Sequence, residues 1–526
     1  MEPSNLAPLS GVPSTASPAD EDIFQIDVTS INDSDNAHES TMSTQNDGVP
    51  TSASAATKIH KSSSRPPKPK HTSNPLQTGI LNYLKNHHRE HRDYVHTHPN
   101  LFSQQFLSFP LPKRFTIHPP VLLLPSNVFS SPPEWAELYN TFSSAQRQEL
   151  YACITASFGS MGITHIAMNA PIAPTLTNES TTPGIENRIR SPTGLVPLYG
   201  DFGEGSLDVA GGTEVLSRDV EEKEVNPTEA ALQSALWVRS VQNRGIVQIW
   251  APLHSMFSRG NVVEKARILG IESQFEGLDD DDDAGGHVGD GQGGAAGKRL
   301  LGQQIAEIAV VDMYAGIGYF VFSYLKRGVG RVWGWEINGW SIEGLRRGCR
   351  ENGWGVKVVK VDKKTGEIEG GIDWLVKGLR EEDRVVVFHG DNKFATHVLG
   401  SLREALQQRK MWQRIRHVNL GLLPSSKPAW EGAVNVLDIE AGGWIHVHEN
   451  VDVKSIGMLE EEIVERICSL RRSSRGSGQL PSPSDPPIPA AKCVHVERVK
   501  TYAPGVMHCV FDIYIQPCPT WSEMRP

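Results

Sequence analysis

The stretch VVDMYAGIGYF, Val310–Phe320, restricts the possible folds of this chain more than any other. An apolar run ends at Asp312, passes through Gly316 and Gly318, and continues into helical spacing. Small residues at such a turn let the backbone approach a ligand, and the helix start that follows offers free N–H groups. The next apolar strand ends in WGWEIN, placing Glu336 18 residues after Gly318. A carboxylate there can accept from both hydroxyls of a ribose. A further strand ends in FHGDNK, where Asp391 and Asn392 can accept from an adenine amine. Another ends in VNLGLLPSS, Val418–Ser426. Polar strand ends on one sheet edge fit ligand binding beyond the carboxyl ends of a parallel sheet. No Lys-Ser/Thr pair follows the turn, so it is not a phosphate-binding Walker loop, and DMYAGIG departs from the GxGxxG of nicotinamide enzymes.

From Gln304 onward apolar runs alternate with helical spacing, which argues for a mostly parallel sheet covered on both faces. Strands are predicted at 305–311, 331–335, 385–389, 417–423 and 444–449, and helices at 319–327, 341–352, 402–412, 434–441 and 455–471. Residues 356–384 read as an insertion. A hairpin, 494–501 and 506–516 around Pro504–Gly505, closes the chain and supplies an antiparallel edge. Upstream, 76–270 reads as a smaller α+β domain: a helix from Leu76 to Arg92, a buried strand Val121–Leu124, one amphipathic helix Trp135–Ser157 and a strand Gly245–Ala251. The catalytic domain is expected at 301–526.

Formal charge needs partitioning before it says anything about partners. The net charge is −10. Residues 1–57 hold nine acids and no Lys or Arg, 58–92 hold eight bases and one acid, and 271–297 hold eight acids and no Lys or Arg. These segments account for the whole imbalance, so the other 407 residues are formally neutral and an RNA substrate remains compatible. Residues 1–75, rich in Ser, Thr and Pro, are expected as a disordered tail; its basic stretch Ser64–His71 reads as solvated, with contact to an anionic partner or a nuclear signal as the alternatives. The Asp/Gly-rich 271–300 and Ser/Pro-rich 473–491 read as flexible insertions. Asp279–Asp283 lacks the alternating ligand spacing of a calcium loop. The six cysteines form no CxxC pair, which suits a reducing compartment and points away from zinc, and no apolar run is long enough to span a membrane. A cytoplasmic protein without a metal is expected.

Taken together, DMYAGIGYF, WEIN, HGDN and NLGLLPSS resemble the class I S-adenosylmethionine-dependent enzymes that modify guanosine-derived bases at tRNA position 37. Within that group the HGDN and NLGLLPSS wording is similar to the tRNA wybutosine-synthesising protein 2 family, as are Arg190–Gly203, Trp250–Arg267 and Val499–His508. The resemblance implies a methyltransferase-like Rossmann fold and transfer of a 3-amino-3-carboxypropyl group from S-adenosylmethionine to C7 of 4-demethylwyosine in tRNA(Phe). It implies cofactor contacts at Ser258 and Lys265, with Glu336 at the ribose and Asp391–Asn392 at the adenine. On the residues themselves, Gly316 and Gly318 form the turn at the cofactor, and Asp312 is a candidate for the polar environment of the methionine arm or else a turn-capping aspartate. Arg259, Asn419 and Pro424 would face the substrate base. On the residues alone, Lys265 reads differently, as a surface lysine following Glu264. Lys393 stands where the family commonly has Arg, and KPAW follows LLPSS in place of an acidic residue. No residue stands out as the base for the displaced proton.

Basic residues expected to hold RNA are the 85–92 face, Arg188, Arg190, Lys326, Arg327 and Arg331. A monomer is expected, with no membrane partner. The rival readings are a guanosine-37 N1-methyltransferase, a non-catalytic RNA-binding protein on the same fold and, more distantly, a nicotinamide enzyme. The strand-end wording disfavours the first, and the intact glycines and carboxylates disfavour the second.

Overall fold

The computed structural model describes residues 74–87, 110–169, 175–176, 185–186, 190, 192, 194–203, 226–257, 261–271, 273–279, 300, 302–473 and 491–517. The expected tail therefore lies outside the described residues, apart from Asn74 and Pro75, which start the first helix.

That helix, α1 (Pro75–Asn86), begins where it does because Asn74 accepts from the backbone N–H of Leu76 and Gln77 and proline occupies the first turn. It packs with α2 (Pro133–Asn140) and α3 (Ser144–Ser157) around Trp135, Leu138, Leu150 and Ile154. The single helix expected over Trp135–Ser157 is in fact these two. Ser143 and Gln146 form a reciprocal capping box that restarts the helix, a local signal that outweighs continuous apolar spacing. Beside the helices lies a small sheet of β1 (Thr116–His118), β2 (Val121–Leu124), β3 (His165–Met168) and β4 (Val196–Tyr199), in that order.

A two-stranded hairpin, β5 (Val238–Val241) and β6 (Val247–Trp250), and a short helix, α4 (Val262–Ile268), connect this region to the large sheet. The large sheet comprises β7 (Ile308–Asp312), β8 (Arg331–Glu336), β9 (Gly355–Lys360), β10 (Asp383–His389), β11 (Arg414–Leu420), β12 (Gly443–Asp452), β13 (Ala491–Ala503) and β14 (Val506–Ile515). Their spatial order is β9-β10-β8-β7-β11-β12-β14-β13. Only β14 runs against its neighbours, so the closing hairpin does supply the antiparallel element. Central β7 is buried along its whole length, as a strand covered on both faces must be.

One face of the sheet is covered by α7 (Gly371–Gly378), α8 (Ala395–Gln408), α9 (Trp430–Val436) and α10 (Ile456–Ser473) around Val311, Trp333, Phe388 and Leu402. The other is covered by α5 (Val321–Arg327), α6 (Gly339–Glu351) and α4, with the β5–β6 hairpin, around Val310, Val332, Trp250 and Ile268. Asn352 fixes the hairpin by pairing with both the N–H and C=O of Val247 at 3.0 and 2.7 Å, as a strand would.

Three further expectations need correcting. Residues 356–384 are not an insertion: they are the outermost strand β9 and helix α7, and Lys357 and Lys360 are tolerated because the strand is an edge. The helix expected at 434–441 lies earlier, at α9, because Asp438 caps a turn by accepting from Glu440 and Ala441 N–H. The start of the acidic insertion is ordered: Phe275 and Leu278 are buried in the core and Asp279 pairs with Arg327. Two apolar anchors and one ion pair hold residues 275–279 to the core. The described helices include none long and apolar enough to cross a membrane.

Candidate functional site

The order of strands reverses between β7 and β11, and in open α/β sheets ligands bind beyond the carboxyl ends at such a point. Asp312 ends β7 and Asn419 lies in register beside it on β11. Asn419 Nδ2 donates to Asp312 Oδ1 at 3.2 Å, and the Tyr314 N–H donates to the same oxygen at 3.1 Å. Both side chains are fully buried, yet Asp312 Oδ2 and Asn419 Oδ1 have no hydrogen-bond partner among the described residues. Burial pushes the Asp312 carboxyl up to about 7, against the lowering effect of Asn419 and Tyr314.

The glycine turn is held by the neighbouring strand end. Glu336 Oε2 accepts from Gly316 N–H at 2.8 Å, while Oε1 accepts from Ile337 and Asn338 N–H at 2.9 and 2.8 Å. Burial raises its pKa; those three amides, and Arg190 nearby, work in the opposite direction. Gly316 and Gly318 have φ of 55° and 90°. A Cβ on Gly318 would lie 2.5 Å from the Phe322 ring, so both space and backbone favour glycine. Across the turn, Asn392 Nδ2 donates to Met313 O at 2.8 Å. Asp391 accepts from Lys393 N–H, and the Lys393 ammonium lies 3.8 Å from its other oxygen. Asp312, Gly316, Glu336, Asn392 and Asn419 thus gather into one bonded patch, with Asp391 beside it.

Ser258, Arg259 and Arg188 fall outside the described residues. Lys265 is not a surface lysine: it is buried on α4, its ammonium donates to Gln242 at 3.3 Å, and burial lowers its pKa to about 8. The segment leading to Ser258 does meet the glycine turn, since the Tyr319 hydroxyl donates to Met256 O and Gln248 Nε2 to Gly318 O. Pro424 accepts from Asn450 N–H at 2.9 Å, and Glu449 holds the loop after it through Ser426 N and Oγ at 2.8 and 3.1 Å. Two basic residues expected to hold RNA are committed elsewhere. Arg327 donates to Leu269 and Leu278 carbonyls, and Arg331 is buried and donates to Asp383 and Arg380 carbonyls. Of the 85–92 face only residues 85–87 are described; His87 lies 3.5 Å from Glu149. Lys326 is exposed.

Sequence reasoning missed a buried polar network on the same face of the sheet. Arg267 on α4 bonds Glu264 through Nε and Nη2, both at 2.8 Å, and Asp512 on β14 through Nη1 at 2.6 Å. His446 Nδ1 lies 2.7 Å from Asp512, and His417 Nδ1 lies 3.0 Å from His446 Nε2. Burial alone would raise Asp512, but Arg267 and His446 hold it well below the usual carboxylate range. This network fixes the helix that carries Lys265 to the sheet. Among the described residues no group of three or more His, Cys, Asp or Glu side chains is placed to hold a metal ion.

A doubly covered sheet of this order, with a glycine turn and an acidic strand end at its reversal point, defines the class I S-adenosylmethionine-dependent transferases. The unpartnered acceptor oxygens of Asp312 and Asn419, and the left-handed glycines beside them, fit a ligand that brings an ammonium group close to the backbone. No family model matches the chain. It is 32% identical to the tRNA wybutosine-synthesizing protein 2 of Schizosaccharomyces pombe, over 84% of this chain and 79% of that protein. It is 28% identical to the protein of the same name from Saccharomyces cerevisiae, over 84% and 81%. A solved structure of Pyrococcus horikoshii TYW2 in complex with MeSAdo shares 16% identity, covers 80% of this chain and 98% of that one, and has a TM-score of 0.42. The chain belongs to the tRNA wybutosine-synthesising protein 2 family.

Proposed function

We propose that this protein transfers the 3-amino-3-carboxypropyl group of S-adenosylmethionine to C7 of 4-demethylwyosine at position 37 of tRNA(Phe), releasing methylthioadenosine. The observation that carries this reading is the bonded patch of Asp312, Gly316, Glu336, Asn392 and Asn419, in a chain aligned to the family over 84% of its length. The donor's sulfonium activates three carbons, and the protein's task is to choose which one meets the base. Glu336 takes the ribose hydroxyls and Asp391–Asn392 the adenine. Asp312 offers its open oxygen to the amino group of the methionine arm. Ser258 and Lys265 hold the carboxylate of that arm and turn its methylene, not the methyl, toward the base. Arg259, Asn419 and Pro424 lie on the base side. C7 attacks the methylene, the carbon–sulfur bond breaks, and C7 loses its proton.

The tRNA is held in part by Arg190 beside Glu336, so binding weakens with salt. The division into a smaller 76–270 substrate domain and a 301–526 catalytic domain belongs to the same proposal. The protein acts as a monomer in the cytoplasm, in keeping with five free cysteines among the described residues.

The test uses tRNA(Phe) carrying the tricyclic precursor and donor labelled in either the methyl or the carboxyl carbon. Carboxyl label entering RNA is expected. Methyl label alone would replace this reading with methylation, and no label with tight RNA binding would replace it with a binding role.

A further inference from the structure

Strand β12 outruns its neighbour. Leu420, the last residue of β11, pairs with Val447, so residues 448–452 project past the carboxyl end of β11, backed by β14. Side chains alternate along this overhang. Glu449 turns to one side and binds the Ser426 loop, while His448 lies on the same face as Asn419 and His446. Asn450, two residues further on, shares that face, and His508 pairs with Asn450 across the ladder. His448 Nδ1 lies 3.1 Å from His508 Nε2.

Around this ring pair, His448 Nε2, His508 Nδ1 and both amide atoms of Asn450 are buried with no hydrogen-bond partner among the described residues. His448 and His508 are 1% and 0% exposed. Buried polar atoms are normally satisfied, so four together in one place point to a ligand. The place is next to the donor site. The Phe320 ring, two residues past Gly318, lies 5.2 Å from the His448 ring and 2.8 Å from where a Cβ of Gly421 would be. Asn450 N–H also bonds Pro424.

The chemistry of the ligand follows from the protonation of the rings. Burial lowers the pKa of His508 to about 4, with Lys500 adding to it, and lowers that of His448 well below 6.5. Both are therefore neutral at pH 7. In a neutral pair one ring donates to the other, which leaves one bare nitrogen and one N–H facing outward whichever tautomer is present. Asn450 adds a carbonyl and an amide NH2. Two donor groups and two acceptors beside a phenylalanine ring suit the edge of a planar base bearing a carbonyl and ring nitrogens. They do not suit a phosphate or carboxylate, which would need donors only.

We propose that His448, His508 and Asn450 form the subsite that reads the hydrogen-bonding edge of the acceptor base, a guanine-derived heterocycle. The assignment rests on the transfer reaction proposed above, and it names three residues as specificity determinants.

The experiment compares the full-length protein with the Asn450→Leu and His448→Gln variants, and with the milder Asn450→Asp in case the first two unfold. Three quantities are measured: affinity for tRNA(Phe) with the tricyclic precursor against the same tRNA with unmodified guanosine 37, donor affinity by calorimetry, and transfer of carboxyl label. The wild type should prefer the precursor. The variants should lose that preference and fall tenfold or more in kcat/KM for tRNA, with donor affinity within twofold of wild type. Unchanged preference and kcat/KM would overturn the subsite, as would an equal loss of donor affinity. A wild type that transfers no carboxyl label sinks the transfer reaction instead, and the two-tRNA binding comparison still decides the subsite.

Discussion

Asp312 and Asp512 are two carboxylates on the same face of one sheet, both almost completely buried, and the protein treats them in opposite ways. Asp512 receives two bonds from Arg267 and one from His446, and it stays ionised. Asp312 has two donors crowded on one oxygen and none on the other, and burial pushes it up to about 7. Burial is therefore not what separates a fully partnered carboxylate from one with an open oxygen. The separation lies in whether the protein itself supplies every partner, and the oxygen it leaves open is the one available to a ligand.

The sharpest way to break this contrast is at Arg267. Arg267→Met leaves Asp512 and Glu264 as buried charges without their cation, and should cost about 3–5 kcal/mol of stability in denaturant unfolding. A loss under about 1 kcal/mol would mean that water or another group already compensates the pair.

Asp312 gives the second test, through pH. Its pKa is raised in the folded state, so the folded protein binds the proton more tightly than the unfolded chain does. Its contribution to stability is complete below about pH 4 and is lost as pH rises through about 7, with a slope of at most about 1.4 kcal/mol per pH unit. Asp312→Asn should remove that slope, measured as the difference in unfolding free energy between the two proteins from pH 4 to 7. If the donor's ammonium sits on Asp312, donor binding should also release a proton near pH 7, detectable by calorimetry in buffers of different ionisation enthalpy.

At Glu336 the effect on the ligand should be smaller, and it comes with the loss of the three amide bonds that hold the glycine turn. Glu336→Ala is expected to weaken donor binding by about 1.5–3 kcal/mol, the worth of a hydrogen bond to a charged group. Unchanged affinity would refute the ribose role. The smallest effect should come from Gly318→Ala, about 1–2 kcal/mol in stability, because φ there is 90° and the Phe322 ring has little room to give way.

The two aspartates also differ in how far the sequence reveals them. Asp312, Gly316, Gly318, Glu336 and Asp391–Asn392 are legible because each belongs to a strand–turn unit, where neighbouring residues already fix the geometry. Asp512 and Arg267 are 245 residues apart and meet only because α4 and β14 pack on the same side of the sheet. The composition of α4 even misdirects. Glu264, Lys265 and Arg267 read as a solvated helix, yet all three are buried, Arg267 against the Phe275 ring. The edge strand β9 was hidden for a related reason: an exposed edge accepts lysines, so GVKVVK reads as a linker. The overhang of β12 depends on register, which no local pattern encodes.

The acidic insertion is anchored at both of its ends. Asp279 is held by Arg327 at the far end of α5, and Leu300 by Arg416 low on β11. Both anchors lie at the amino-terminal edge of the sheet, opposite Asp312 and Glu336. Asp279 and Leu300, which bracket residues 280–299, therefore both lie on the side of the molecule away from the glycine turn. That makes the positions next to these two anchors practical attachment points: a fluorophore or affinity tag joined there would leave the protein from behind the sheet.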